Sequence, residues 1–126
     1  MAIKDAGIAL EQINYINAHA TSTPVGDLNE AKAIAEVFEG HHPYVTSTKS
    51  MTGHEMWMAG ASEVVYSMLM MRHGFIAPNI NFTEGDEATS KLNIPVRRVD
   101  TEFDCFLSNS FGFGGTNSTL IVKKYK

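Results

Sequence analysis

The stretch Ile13-Asn14-Tyr15-Ile16-Asn17-Ala18-His19-Ala20-Thr21-Ser22-Thr23-Pro24 decides how the chain folds. Apolar and polar side chains alternate through residues 13–19, the two-residue period of a half-buried strand. Hydroxyl residues followed by Pro24 then announce a helix, because proline suits the first helical turn, where its missing N–H leaves no bond unmade. Leu28, Ala31, Ile34, Ala35 and Phe38 fall on one face of that helix, and Gly40 marks its end. A strand running into a helix is one βα unit, and His19 stands at its turn, where α/β folds gather chemistry. The alternative for His19 is a structural histidine with its bonds satisfied.

The pattern repeats downstream. Residues 44–48 form a short β-prone run. Lys49-Ser50-Met51-Thr52-Gly53-His54 leads into a segment predicted to be helical from Gly53 to about residue 73. That segment is apolar on nearly every side, so it must be covered all round, which is hard for 126 residues alone. At its positive end a neutral His54 ring could donate to a developing oxyanion. Residues 75–82 read as extended, with Pro78 inside. Residues 105–110 and 117–123 read as two strands around the Gly-rich turn of Ser108-Asn109-Ser110-Phe111-Gly112-Phe113-Gly114-Gly115-Thr116-Asn117. The turn is not a dinucleotide fingerprint, since no helix follows. A Gly-flanked Phe113 could swing as a gate, or the segment could be a hairpin turn with aromatic packing. The start of the chain reads as a helix tail ending near Gly7. The order is therefore (α)βαβαββ, an α/β fold of a mixed sheet with helices on both faces.

Composition narrows the function. The hydrophobic fraction of 44% supports one packed core, and a net charge of −4 disfavours a nucleic-acid partner. No apolar run is long enough to span a bilayer, and the first residues lack the apolar run of a secretory signal. One cysteine, Cys105, allows no internal disulfide, which suits a cytoplasmic protein. His41, His42 and His73 read as surface residues. No histidine pair has zinc spacing with a carboxylate, so no zinc site is expected. Lys49 and Glu30 lie close in sequence to the two candidate histidines, and either could equally be a solvated charge.

Three segments in this order, Asn17-Ala18-His19-Ala20-Thr21-Ser22-Thr23-Pro24-Val25-Gly26-Asp27, Thr48-Lys49-Ser50-Met51-Thr52-Gly53-His54 and Asn109-Ser110-Phe111-Gly112-Phe113-Gly114-Gly115-Thr116-Asn117, resemble the C-terminal half of the elongating β-ketoacyl-ACP synthases. The stretch Gly74-Phe75-Ile76-Ala77-Pro78-Asn79-Ile80-Asn81 leans towards the type I branch of bacterial fatty-acid synthesis. The resemblance implies a thiolase-like fold, with residues 1–126 a C-terminal half truncated at its N-terminal side and a homodimer as the complete enzyme. The apolar helix would lie in the central layer between two sheets.

The resemblance also implies acyltransferase activity: decarboxylative Claisen condensation of an acyl thioester with malonyl-ACP in fatty acid elongation. Polyketide or aryl-polyene synthesis, and a non-catalytic subunit like a chain-length factor, are the alternatives. His19 and His54 would donate to the malonyl thioester oxygen. Lys49, with Glu30 as its buried carboxylate partner, would support them. Thr21 and Thr23 would bind the pantetheine arm, and Phe113 would gate beside Phe111. Asn17, Glu63, Ser108 and Asn109 match positions around a structural cation in some members. The partner is acyl carrier protein (ACP), whose phosphopantetheine is the only prosthetic group implied. Cys105 does not match the nucleophile, so the isolated chain is expected to be inactive. Two departures from the family stand out. Ala20 replaces a usual glycine, and Glu55-Met56-Trp57-Met58 replaces small residues.

Overall fold

A computed structural model of the chain describes residues 1–125. A short helix α1 (Ala2–Ala6) ends at Gly7, and a single 3₁₀ turn (Leu10–Gln12) leads into strand β1 (Tyr15–Asn17). Helix α2 (Pro24–Val37) follows, then β2 (Tyr44–Thr46), α3 (Lys49–Thr52) and the long helix α4 (Ala59–His73). Strands β3 (Phe75–Ile76) and β4 (Val99–Asp100) form a small antiparallel pair apart from the main sheet. The hairpin β5 (Cys105–Gly112) and β6 (Thr116–Lys123) closes the chain.

The main sheet has the order β2-β1-β5-β6. β1 runs parallel to both β2 and β5, with Asn17 beside Thr46 and Ser108. β6 is antiparallel to β5 through eight pairs, Cys105↔Lys123 to Gly112↔Thr116. The sheet is therefore mixed, and the carboxyl ends of β1, β2 and β5 lie at one edge, the edge where open α/β sheets place their ligands. The β5–β6 loop turns at Gly114 and Gly115, both at positive φ (82° and 85°), which a side chain would oppose.

Strand alternation splits the core in two. Ile13, Ile16, Ala18, Cys105 and Leu107 pack with Ile34 and Phe38 of α2 and with Val45. Tyr15, Phe106 and Phe103 pack with Met70, Met71 and Ile76 around α4. The face of α2 expected from its periodicity is the buried one, with Ala31, Ile34 and Phe38 inside. α4 behaves differently. Its buried stripe is Ala59, Glu63, Ser67, Met70 and Met71, while Val65, Met68 and Leu69 remain 45–53% exposed. This helix therefore buries two polar side chains, Glu63 and Ser67, beside its apolar contacts, and leaves part of its apolar surface outward. It also lies close to β5: a Cβ on Gly60 would come 2.8 Å from the Ser110 hydroxyl.

Three expectations need correction. Gly53 does not open the apolar helix; it ends α3 at φ 73°, and its N–H caps the Lys49 carbonyl at 2.9 Å. A linker with a 3₁₀ turn (Met56–Met58) then precedes α4, so His54 stands outside that helix and gains nothing from its dipole. The order accordingly carries an extra short helix and the β3–β4 pair. Finally, His41 is no free surface residue: its Nε2 lies 2.8 Å from the Ile13 carbonyl and its ring packs on Phe38.

Candidate active site

The parallel strand ends bring His19 and His54 together. His19 leaves β1 two residues past its end, and His54 follows α3, which follows β2. Their ring centroids are 5.8 Å apart at 89°, edge to face. Phe111, on β5, also packs on His19, with ring centroids 5.5 Å apart. The Met56 N–H donates to His54 Nδ1 at 3.0 Å, so the neutral ring carries its proton on Nε2. His19 is held well below the ordinary histidine range, down to about 4, by burial first, then by the Lys49 ammonium and His54. His19 is therefore a neutral ring at pH 7.

That displacement has a consequence for stability. His19 titrates near 4 when folded and near 6.5 when unfolded, so the unfolded chain binds the extra proton between those values. The His19 contribution is complete above pH 6.5 and is lost as pH falls towards 4. Urea denaturation of the chain and of His19→Gln should show the wild-type midpoint dropping more steeply across that window. Parallel profiles would contradict the assignment.

Lys49 is buried and pairs with Glu63 of α4, not with Glu30 as the resemblance implied. The reason is geometric: Lys49 points to the α4 side of the sheet, and Glu30 rises from α2 on the other. Burial holds the Glu63 carboxyl above its ordinary range, and the Lys49 ammonium opposes that rise. Glu30 instead accepts three N–H groups: the backbone N–H of His19 at 2.9 Å, that of Ala20 at 2.8 Å, and Asn109 Nδ2 at 3.0 Å. It is the buckle of the His19 turn.

That turn is strained. Ala20 sits at φ 28°, where a Cβ is unfavourable. Ala20→Gly should raise stability by roughly 0.5–1 kcal/mol, read as an upward shift of the urea midpoint; a downward shift would show the strain absent. Asp27, which the sequence reading did not single out, accepts the Ser22 N–H at 3.1 Å and fixes the loop bearing Thr21 and Thr23. Its signal was its place inside the first quoted motif. The Thr21 and Thr23 hydroxyls lie 3.5 Å apart, and Thr23 makes no side-chain cap to α2. Phe113 is fully exposed at the hairpin tip. Met56, Trp57 and Met58 are exposed as well, so their bulk fills no pocket within residues 1–125. Glu55 anchors their linker by accepting the Tyr66 hydroxyl at 3.0 Å.

On the α4 side, Asn17 Nδ2 donates to Ser67 Oγ at 3.2 Å, and Ser67 donates to the Glu63 carbonyl at 2.7 Å. Asn17 Oδ1, Glu63 Oε2 and Ser108 Oγ are buried there without a hydrogen-bond partner. Ser47 Oγ, Ser50 Oγ and Glu55 Oε2 are buried and unpartnered in the same way. Asn109 does not join them, because its side chain is engaged by Glu30 and Thr119. Among the described residues no group of three His, Cys, Asp or Glu could hold a metal. Cys105 opens β5, at the end of the sheet away from the histidines, and burial pushes its thiol up, the reverse of what a nucleophile needs.

A mixed α/β layer presenting two histidines and a buried lysine at its strand ends is the arrangement that the resemblance to ketosynthases implies. Residues 1–83 match the family model described as "Beta-ketoacyl synthase, C-terminal domain". The chain belongs to that family. It is 54% identical over 114 residues to 3-oxoacyl-[acyl-carrier-protein] synthase 1 of Escherichia coli (strain K12), covering 90% of this chain and 28% of that protein. It is 48% identical over 126 residues to 3-oxoacyl-[acyl-carrier-protein] synthase 2 of Coxiella burnetii, covering 98% and 30%. A solved beta-ketoacyl synthase from Burkholderia phymatum superposes with a TM-score of 0.92 at 36% identity, covering 99% of this chain and 31% of that one. The ishigamide ketosynthase/chain length factor gives 0.91 at 37%, covering 98% and 31%. The chain thus spans under a third of the length of the relatives it matches.

Proposed function

We propose that this chain supplies the His19, His54 and Lys49 half of the active site of a 3-oxoacyl-ACP synthase, an acyltransferase of fatty acid elongation. The edge-to-face pair of His19 and His54 carries the reading. Two imidazoles with centroids 5.8 Å apart are near enough for each to donate an N–H to a single oxygen. In the reaction malonyl-ACP loses CO2 as its carbon–carboxylate bond breaks. The electron pair passes to the thioester oxygen as an enolate, which the two N–H groups stabilise. The enolate carbon then attacks the acyl thioester, and a thiolate leaves. That thiolate belongs to a cysteine outside residues 1–125, since Cys105 is buried at the wrong end of its strand.

Lys49 adds positive potential that keeps His19 neutral, and Glu63 keeps Lys49 in place. Thr21 and Thr23 would hydrogen-bond the pantetheine arm of ACP, and Phe113, with Phe111, would gate its entry. Asn17, Glu63 and Ser108 would hold a structural cation. The site works in the cytoplasm within a homodimer and meets its substrates on ACP; no helix among the described residues is long and apolar enough to cross a membrane.

Fatty acid elongation is preferred to polyketide or aryl-polyene synthesis because identity is 48–54% to the 3-oxoacyl-[acyl-carrier-protein] synthases of Escherichia coli and Coxiella burnetii against 34% to a solved type II PKS ketosynthase. A non-catalytic subunit fits less well, because both histidines and Lys49 are kept.

The test is condensation measured with radiolabelled malonyl-ACP. The chain alone should give no turnover. A hybrid in which it replaces the matching segment of the Escherichia coli relative should release CO2 and form 3-oxoacyl-ACP. Turnover by the chain alone, or a folded hybrid without activity, would refute the reading.

A further inference from the structure

Glu30 holds the His19 turn, but something must hold Glu30 in the form that does so. Its Oε1 receives both the His19 N–H and Asn109 Nδ2. An asparagine amide has two faces of similar shape and opposite chemistry. Turned one way, Nδ2 donates to the carboxylate at 3.0 Å; turned the other way, Oδ1 would confront it, oxygen against oxygen. The carboxylate, which can only accept, makes that choice, and the far end of the amide is anchored in turn. Thr119, directly across from Asn109 in the β5–β6 register, donates its hydroxyl to Asn109 Oδ1 at 2.9 Å. With Nδ2 committed to the carboxylate, Oδ1 is left to accept, and the Thr119 hydroxyl that donates to it holds the amide in place. Asn109 and Glu30 are both buried, so a wrong amide orientation would leave a charged acceptor facing a lone pair away from water.

We propose that Thr119 is a positioning residue for His19, acting through the Asn109 amide and the Glu30 carboxylate. The relay runs from β6 to β5 to α2 to the end of β1 in links of 2.8–3.0 Å. It ties the hairpin that carries Phe111 and Phe113 to the turn that carries His19. Its value for catalysis rests on the role given to His19 above; the linkage itself does not.

Amide hydrogen exchange on the full chain reads the linkage without any catalysis. The His19 and Ala20 amides are protected by Glu30. Thr119→Val keeps the shape and removes the donor. It should speed exchange at those two amides about tenfold, the loss of one net hydrogen bond, and leave Ile16 and Asn17 unchanged. Thr119→Ser should restore protection. Thr116→Val, on the same strand but opposite Gly112, should leave it intact. Unchanged protection in Thr119→Val, an equal effect from Thr116→Val, or a general rise across β1 would each overturn the proposal.

In the active hybrid, Thr119→Val should lower kcat about tenfold with KM for malonyl-ACP unchanged, and Thr119→Ser should recover it. An unchanged kcat there sinks Thr119 as a positioning residue. A hybrid that keeps full rate with His19→Ala sinks the role of His19 instead, whatever the exchange data show.

Discussion

Lys49→Met should cost the folded chain about 3–5 kcal/mol, because it strands a buried carboxylate without its cation. Lys49 and Glu63 are 5% and 4% exposed as side chains, so water cannot take the place of the missing ammonium. Total stabilities of single domains are about 5–15 kcal/mol, and one such change removes a large part of that. The loss should depend on pH in a defined direction. The Glu63 carboxyl is already held above its unfolded value by burial, and Lys49 opposes that rise. Without Lys49 the folded pKa climbs further. A carboxyl whose folded pKa exceeds its unfolded one favours folding at low pH and loses that contribution as pH rises through the folded value. The deficit of Lys49→Met should therefore be smaller near pH 4.5 than near pH 8. Urea titrations at both values check this, and an equal deficit would show Glu63 to be solvated. Lys49→Met with Glu63→Gln should recover part of the loss, since the stranded charge is gone.

His19→Ala and His54→Ala should each lower the condensation rate of the hybrid by about 10²–10³, the range for removing one oxyanion donor. The two donors serve one oxygen, so the double variant should lose less than the product of the single losses. Lowered kcat with little change in KM is the expected signature. A variant that raises KM alone would show that its histidine binds substrate in the ground state and does not stabilise the enolate. His54→Gln discriminates further. Its amide can still donate towards the pocket, so it should keep more activity than His54→Ala.

The position of His19 at a strand-to-helix turn was legible in the sequence because that turn is local, while the roles of both histidines came from the resemblance. The alternation of residues 13–19 and the Thr-Ser-Thr-Pro start place His19 at the end of a strand, and that is where it lies. The face of α2 followed from spacing alone, as did the β5–β6 hairpin. What failed was non-local or ambiguous. Gly53 marks a helix boundary, but a glycine closes one helix as readily as it precedes the next; here it closes α3. The partner of Lys49 was misplaced because the pairing with Glu30 was carried over from the resemblance, and the apolar look of α4 drew no attention to Glu63. Periodicity could not tell which stripe meets the sheet, and the stripe that does carries Glu63 and Ser67. The β3–β4 pair was missed because two-residue strands have no pattern to read.

The buckle at Glu30 also fixes an order of events in time. Glu30 and Asn109 are separated by 79 positions, so their bond closes a long loop. The bonds from Glu30 to the His19 and Ala20 N–H groups span only 10–11 residues and can form as soon as β1 and α2 meet, whereas the Asn109 bond must wait until β5 has docked. Long-range closures of this kind are slow to form. The His19 turn thus takes shape locally but is locked only when a distant strand arrives.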